Sequence, residues 1–85
     1  MVNDLDIQFQ KAYKEASKLK ERLPPDVMLK LYAYYKQAVK GDHFSFNTNN
    51  GLRNAFKFNA WMQLKGMSED QAKQEYINLV NSIIK

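Results

Sequence analysis

Apolar side chains at the start of the chain fall at Leu5, Phe9, Ala12, Ala16, Leu19 and Leu23, at steps of three or four that put them on one side of a 3.6-residue helix. Lys14, Lys18 and Glu21 fall on the other side, so the pattern predicts a first amphipathic helix over 5–23. Pro24-Pro25 ends it, because neither residue can donate a backbone hydrogen bond, whereas Pro25 and Asp26 suit the first turn of a new helix. The second helix is predicted over 25–40, with Val27, Leu31, Tyr34, Tyr35 and Ala38 facing the core and Gly41 supplying a left-handed C-terminal cap.

Residues 43–51 are rich in Asn and Ser but include Phe44 and Phe46, which predicts an ordered loop packed on the surface. A shorter third helix over 54–65 carries Phe56, Phe58, Trp61, Met62 and Leu64 around most of its circumference and is expected to be buried on more than one side. Gly66 ends it. Ser68 and Gln71 have the spacing of a capping box, which starts a fourth helix with Ala72, Tyr76, Leu79, Val80 and Ile83 on its apolar face, running nearly to Lys85. No segment alternates at period two over a strand's length, so the fold class is all-α, a four-helix bundle.

Composition narrows the function classes. The 85 residues suit one small domain, 1–85, of a size that buries only roughly 60–65% of its unfolded surface. With no cysteine there is neither a disulfide framework nor a thiolate nucleophile, which suits a reducing, intracellular setting, cytoplasmic by expectation. No stretch approaches the ~20 apolar residues of a membrane span, and Asp4 and Asp6 stand where a leader would be basic. The protein is therefore expected to be soluble and unprocessed.

Thirteen Lys and Arg against nine Asp and Glu give a net charge of +4, which favours anionic partners: nucleic acid, acidic membrane or a phosphorylated small molecule. The histidine, His43, lies in a loop with no partnered acid, and the carboxylates Asp26, Glu69 and Asp70 sit at helix starts, where the dipole favours them. No catalytic pair, metal set or Gly-rich phosphate loop is indicated, so neither enzyme activity nor a cofactor is expected.

On the second helix, at about 100° per residue, Leu29, Tyr32 and Lys36 share a stripe beside the core face. A core-edge tyrosine with a lysine stretched past it would explain the stripe by packing alone. Lys57 lies close to Trp61 and Leu64 on the third helix, and Tyr76 sits among aliphatic residues on the fourth. A ligand with a flat base, phosphates and a hydrocarbon chain would need aromatic faces, fixed cations and an apolar groove next to one another. Lys36 and Lys40 beside tyrosines leave a nucleic-acid-binding or protein-interaction module as the alternative. Against nucleic acid, the positive charges are spread over all four segments with acids interleaved.

The run from Met28 to Asp42, with Leu29, Tyr32, Tyr35, Lys36, Gln37 and Ala38 followed by Gly41-Asp42, resembles the second-helix signature of acyl-CoA-binding proteins. Lys57-Phe58-Asn59-Ala60-Trp61 followed by Leu64-Lys65-Gly66-Met67-Ser68 is similar to that family's third-helix motif, and Ala72 and Tyr76-Ile77 extend the likeness. Three positions depart from the pattern. Phe58 replaces a tryptophan, Ala55 a frequent second lysine and Asn50 a proline.

The resemblance implies an up-down-down-up bundle that binds acyl-CoA esters without performing chemistry and passes them to acyl-CoA-using enzymes. It further implies a monomer with at most transient membrane contact. By the same resemblance Tyr32 would meet the adenine ring, Lys36 the phosphates, Lys57 the ribose 3′-phosphate and Tyr76 the nucleotide side of the pocket. Tyr35 and Gln37 would act closer to structural support. Phe9, Ala12 and Tyr13, with Met28 and Leu29, would line the acyl groove.

Overall fold

The computed structural model describes residues 3–19, 22–44 and 51–84. These hold four helices: α1 (Asp4–Leu19), α2 (Pro25–Lys40), α3 (Gly51–Met62) and α4 (Glu69–Ile84). Asn3 caps α1, its side-chain oxygen accepting the Asp6 amide hydrogen at 2.8 Å, and the acidic Asp4 and Asp6 lie in the first turn where the helix dipole favours them.

Register gives the topology. Asp6 of α1 pairs with Lys73 of α4 at 2.7 Å, and one turn further on Phe9 meets Tyr76 with ring centroids 5.1 Å apart. Contacts that advance together along both helices mean that α1 and α4 run parallel. In the same way Tyr32 meets Lys57 and Lys36 meets Trp61, so α2 and α3 run parallel. Tyr35 approaches Tyr76 while Gly41, after the end of α2, faces Glu69 at the start of α4, which makes α2 and α4 antiparallel. The bundle is up-down-down-up.

The core lies among α1, α2 and α4: Phe9, Ala12 and Ala16 pack with Leu31 and Ala38 and with Ala72, Tyr76, Ile77 and Val80. Five of these residues being alanine or valine lets the helix axes come close, and burial of their apolar area supplies the driving force. Ile77 joins this core although its place on the apolar face of the fourth helix was not expected. Val27, Tyr34 and Tyr35 are partly buried at its margin.

Three sequence expectations need correction. The first helix does not continue through Leu23, which lies in a bend outside α1 and packs on the core from there; Pro24 disfavours the helical region for Leu23 before it and is itself extended at ψ 150°. The third helix begins at Gly51 and ends at Met62. Beyond it, Leu64, Lys65 and Met67 donate to the carbonyls three residues back, the tighter turn that commonly finishes an α-helix. Nor is α3 buried on more than one side: Phe56 and Met62 are exposed while Trp61 is only 1% exposed, because α2 is the main packing partner of α3. Phe46 and the rest of 45–50 fall outside the described residues.

Candidate functional site

A cavity of about 770 Å³ opens where α2 meets α1, α3 and the middle of α4. Its α2 wall is Met28, Leu29, Tyr32, Tyr35 and Lys36, residues spaced three and four apart and so stacked along one side of the helix. From α1 come Tyr13, Ala16 and Ser17, from α3 Phe56 and Lys57, and from α4 Tyr76. Leu23 and Pro25 close it at the corner between the first two helices.

The cavity is divided by chemistry. At one end the Lys57 ammonium lies 5.2 Å from the centre of the Tyr32 ring, and that of Lys36 lies 5.7 Å from the same ring and 5.7 Å from the ring of Trp61. Two cations thus converge on one aromatic side chain, within the range at which the ring's quadrupole attracts them. Partial burial raises the ionisation of the Tyr32 hydroxyl above its ordinary value, so the ring is neutral at physiological pH. No carboxylate is among the described lining residues.

Away from the lysines the walls are apolar: Met28, Leu29 and Leu31 from α2, Ala16 from α1, and Leu23. Aromatic rings lie between the two ends. Tyr13 stacks on Tyr35 at 5.0 Å, and Tyr35 leans toward Tyr76 at 6.4 Å. Burial pushes the Tyr76 hydroxyl up to about 12, with Tyr13 and Tyr35 adding to the effect.

A buried polar hub fixes the base of Lys36. Its neighbour Gln37 is fully buried; the Gln37 amide donates to Asp42 Oδ1 and to the Met67 carbonyl, both at 2.8 Å, and its oxygen accepts from the Trp61 indole at 3.1 Å. The indole also donates to the Gly41 carbonyl at 3.1 Å. Asp42 in turn accepts from the Gly66 backbone N–H, and these donors, Gln37 first, hold its carboxyl below the usual range. Gly41 has φ 58°, and a side chain there would also press on the Glu69 carboxylate. The end of α2, Trp61 of α3 and the approach to α4 are therefore locked together beside the two lysines.

Of the residues singled out from sequence, Tyr32, Lys36, Lys57, Tyr76, Tyr35, Met28, Leu29 and Tyr13 line this one cavity. Phe9 and Ala12 do not line it. They are 7% and 6% exposed, and the Phe9 ring packs against Tyr35 and Tyr76 from the core side. On α1, Tyr13 and Ser17 face the cavity, Phe9 and Ala12 face the core, and Ala16 belongs to both. Sequence reasoning missed Ala16, Ser17, Leu23, Pro25, Leu31 and Phe56 as lining residues; for Phe56 the signal was its place next to Lys57.

The description "Acyl CoA binding protein" belongs to the family profile that matches residues 6–80. The acyl-CoA-binding protein of Saccharomyces cerevisiae is 37% identical over 81 residues, covering 89% of this chain and 88% of its own length. An acyl-CoA-binding protein homolog of Drosophila melanogaster is 36% identical over 78 residues, covering 91% of each. Among solved structures, the crystal structure of Oryza sativa acyl-CoA-binding protein 2 superposes with a TM-score of 0.84 at 27% identity, covering 94% of this chain and 90% of that one. With a profile match across most of its length and relatives above 30% identity over nearly the whole of both chains, this chain belongs to the acyl-CoA-binding protein family.

Proposed function

We propose that this chain binds medium- to long-chain acyl-CoA esters one to one and buffers or carries them without chemical change, its 85 residues acting as a single domain. The observation that carries the reading is the convergence of Lys36 and Lys57 on Tyr32 at one end of a cavity whose other walls are apolar. A nucleotide with phosphates matches the first end and a hydrocarbon chain the second.

In this reading the Tyr32 face takes the adenine, Lys36 the phosphates and Lys57 the ribose 3′-phosphate, with Tyr76 and Tyr35 forming the floor. Met28, Leu29 and Tyr13 line the acyl groove, joined by Ala16 and Leu23 where the sequence had suggested Phe9 and Ala12. Support comes from the family relationship and from relatives that are themselves acyl-CoA-binding proteins. No helix among the described residues is long and apolar enough to cross a membrane, and we take the carrier to act as a cytoplasmic monomer serving acyl-CoA-using enzymes.

A lysine-phosphate bond contributes about 1.5–3 kcal/mol, and each buried methylene about 0.8 kcal/mol. Isothermal titration with palmitoyl-CoA, octanoyl-CoA and CoA tests both terms. Affinity is expected to rise with chain length and to fall about tenfold or more in Lys36→Ala. CoA alone binding as tightly as its palmitoyl ester would overturn the reading.

A further inference from the structure

Tyr13 is 45% exposed, whereas Tyr76 is buried and Tyr32, Tyr34 and Tyr35 are partly buried. Its ring stacks on that of Tyr35, with centroids 5.0 Å apart and planes 27° from parallel, so one face is covered. With nearly half of the side chain in water, the other face is open, and the residue lines the cavity. An aromatic face left in water at a cavity wall gains from any flat group laid on it.

The level of Tyr13 along the cavity follows from its partner. Tyr35 lies roughly 1.5 Å along the helix axis from Lys36 and roughly 4.5 Å from Tyr32, at about 1.5 Å per residue. Because α1 runs parallel to α4 and α4 antiparallel to α2, Ala16 and Ser17, a turn beyond Tyr13, lie toward the start of α2 and the apolar end. Tyr13 is thus the part of the α1 wall that stands at the border of the cationic end.

On the α2 wheel Tyr35 falls about 60° to one side of Tyr32 and Lys36 about 40° to the other. Tyr13 therefore enters the cavity from the α1 side and Lys57 from the α3 side, with Tyr32 between them. The two tyrosine rings have different surroundings: both ammonium groups approach Tyr32, while Tyr13 rests on another ring. A flat base with phosphates attached suits the space they border, because each ring offers a π-face and the cations stand beside one of them.

We propose that the open face of Tyr13 is a second stacking surface for the ligand's base, across the cavity from Tyr32, and that this contact favours CoA esters over acyl chains carried on phosphopantetheine alone. The inference rests on the acyl-CoA reading and moves Tyr13 within it, from the acyl groove to the nucleotide. Stacking tolerates any flat base, so Tyr13 selects for the presence of the nucleotide and leaves chain-length preference to the apolar end.

The test titrates the intact chain and its Tyr13→Ala variant with palmitoyl-CoA and with S-palmitoyl-4′-phosphopantetheine, which lacks the base, the ribose and the 3′-phosphate. Tyr13→Ala is expected to cut the preference for palmitoyl-CoA over the shorter ester by about tenfold, the worth of one base stacked on an aromatic ring. In the wild-type complex with palmitoyl-CoA, nuclear Overhauser contacts from the adenine H2 or H8 to the Tyr13 ring protons are expected, an observation that needs no comparison ligand. A preference that Tyr13→Ala leaves unchanged, or adenine contacts confined to Tyr32, would overturn the inference and leave the acyl-CoA reading standing. Wild-type protein that does not bind palmitoyl-CoA would overturn both.

Discussion

Lys57 places its ammonium 5.2 Å from the centre of the Tyr32 ring, although the two residues lie on different helices, and Lys36 approaches the same ring from its own helix. The parallel course of α2 and α3 creates this arrangement, because it brings residues 32 and 36 level with 57 and 61. Without α3 the α2 stripe would present a tyrosine and a lysine to water, as the packing explanation of the sequence supposed. With α3 in place two cations approach the ring at the cavity.

The face of Tyr32 is expected to matter more than its hydroxyl, since the phenol is neutral and partly desolvated. Tyr32→Phe should keep palmitoyl-CoA affinity within about threefold of the wild type, whereas Tyr32→Ala should lose about tenfold or more, the usual worth of stacking a base on an aromatic ring. Titration calorimetry of the two variants separates the roles. Equal losses would assign the contribution to the hydroxyl.

Much of this architecture is legible in the sequence because its signals are local. Pro25 and Gly41 mark both ends of α2, and Ser68, whose hydroxyl accepts the Gln71 amide hydrogen at 3.0 Å, marks the start of α4. Asn3 is an equally local cap and was readable as one. The end of α3 was not, since the tight turns at Leu64, Lys65 and Met67 keep an apolar helix-like pattern after the helix has stopped.

At the site, the stripe of Leu29, Tyr32 and Lys36 could be read from periodicity, but what faces it could not. Periodicity fixes which residues share a side of one helix and leaves open the rotation of that helix against its neighbours. That rotation is why Phe9 and Ala12 went to the core and Tyr13 to the cavity. The hub around Gln37 depends on residues from Gly41 to Met67, and no spacing rule joins them.

Gln37 is expected to be a large single contributor to stability. Gln37→Leu removes the donor to Asp42 and to the Met67 carbonyl and one acceptor of the Trp61 indole, at a cost of about 2–4 kcal/mol. Trp61→Phe should cost a comparable amount through lost packing and the lost indole donor. Because the two side chains share a hydrogen bond, the double variant should fall short of the sum by about 0.5 kcal/mol or more. Urea unfolding of the four proteins measures this cycle, and strictly additive losses would mean that the bond carries no coupling.

Asp42 makes the hub sensitive to acid. Its carboxyl is held below the ordinary range by the Gln37 amide and the Gly66 backbone N–H, so the folded-state pKa lies below the unfolded value of about 3.9. A depressed carboxyl contributes stability that is present above the unfolded pKa and disappears as pH falls through the folded one. The difference in unfolding midpoint between the wild type and Asp42→Asn is therefore expected to hold steady from neutrality down to about pH 5 and to shrink once the pH drops below about 4. Asp42 is exposed, which keeps the effect modest through solvent screening, and urea midpoints taken across that range at constant ionic strength resolve it. A difference that stays constant into strong acid would show that the charge on Asp42 contributes nothing to stability.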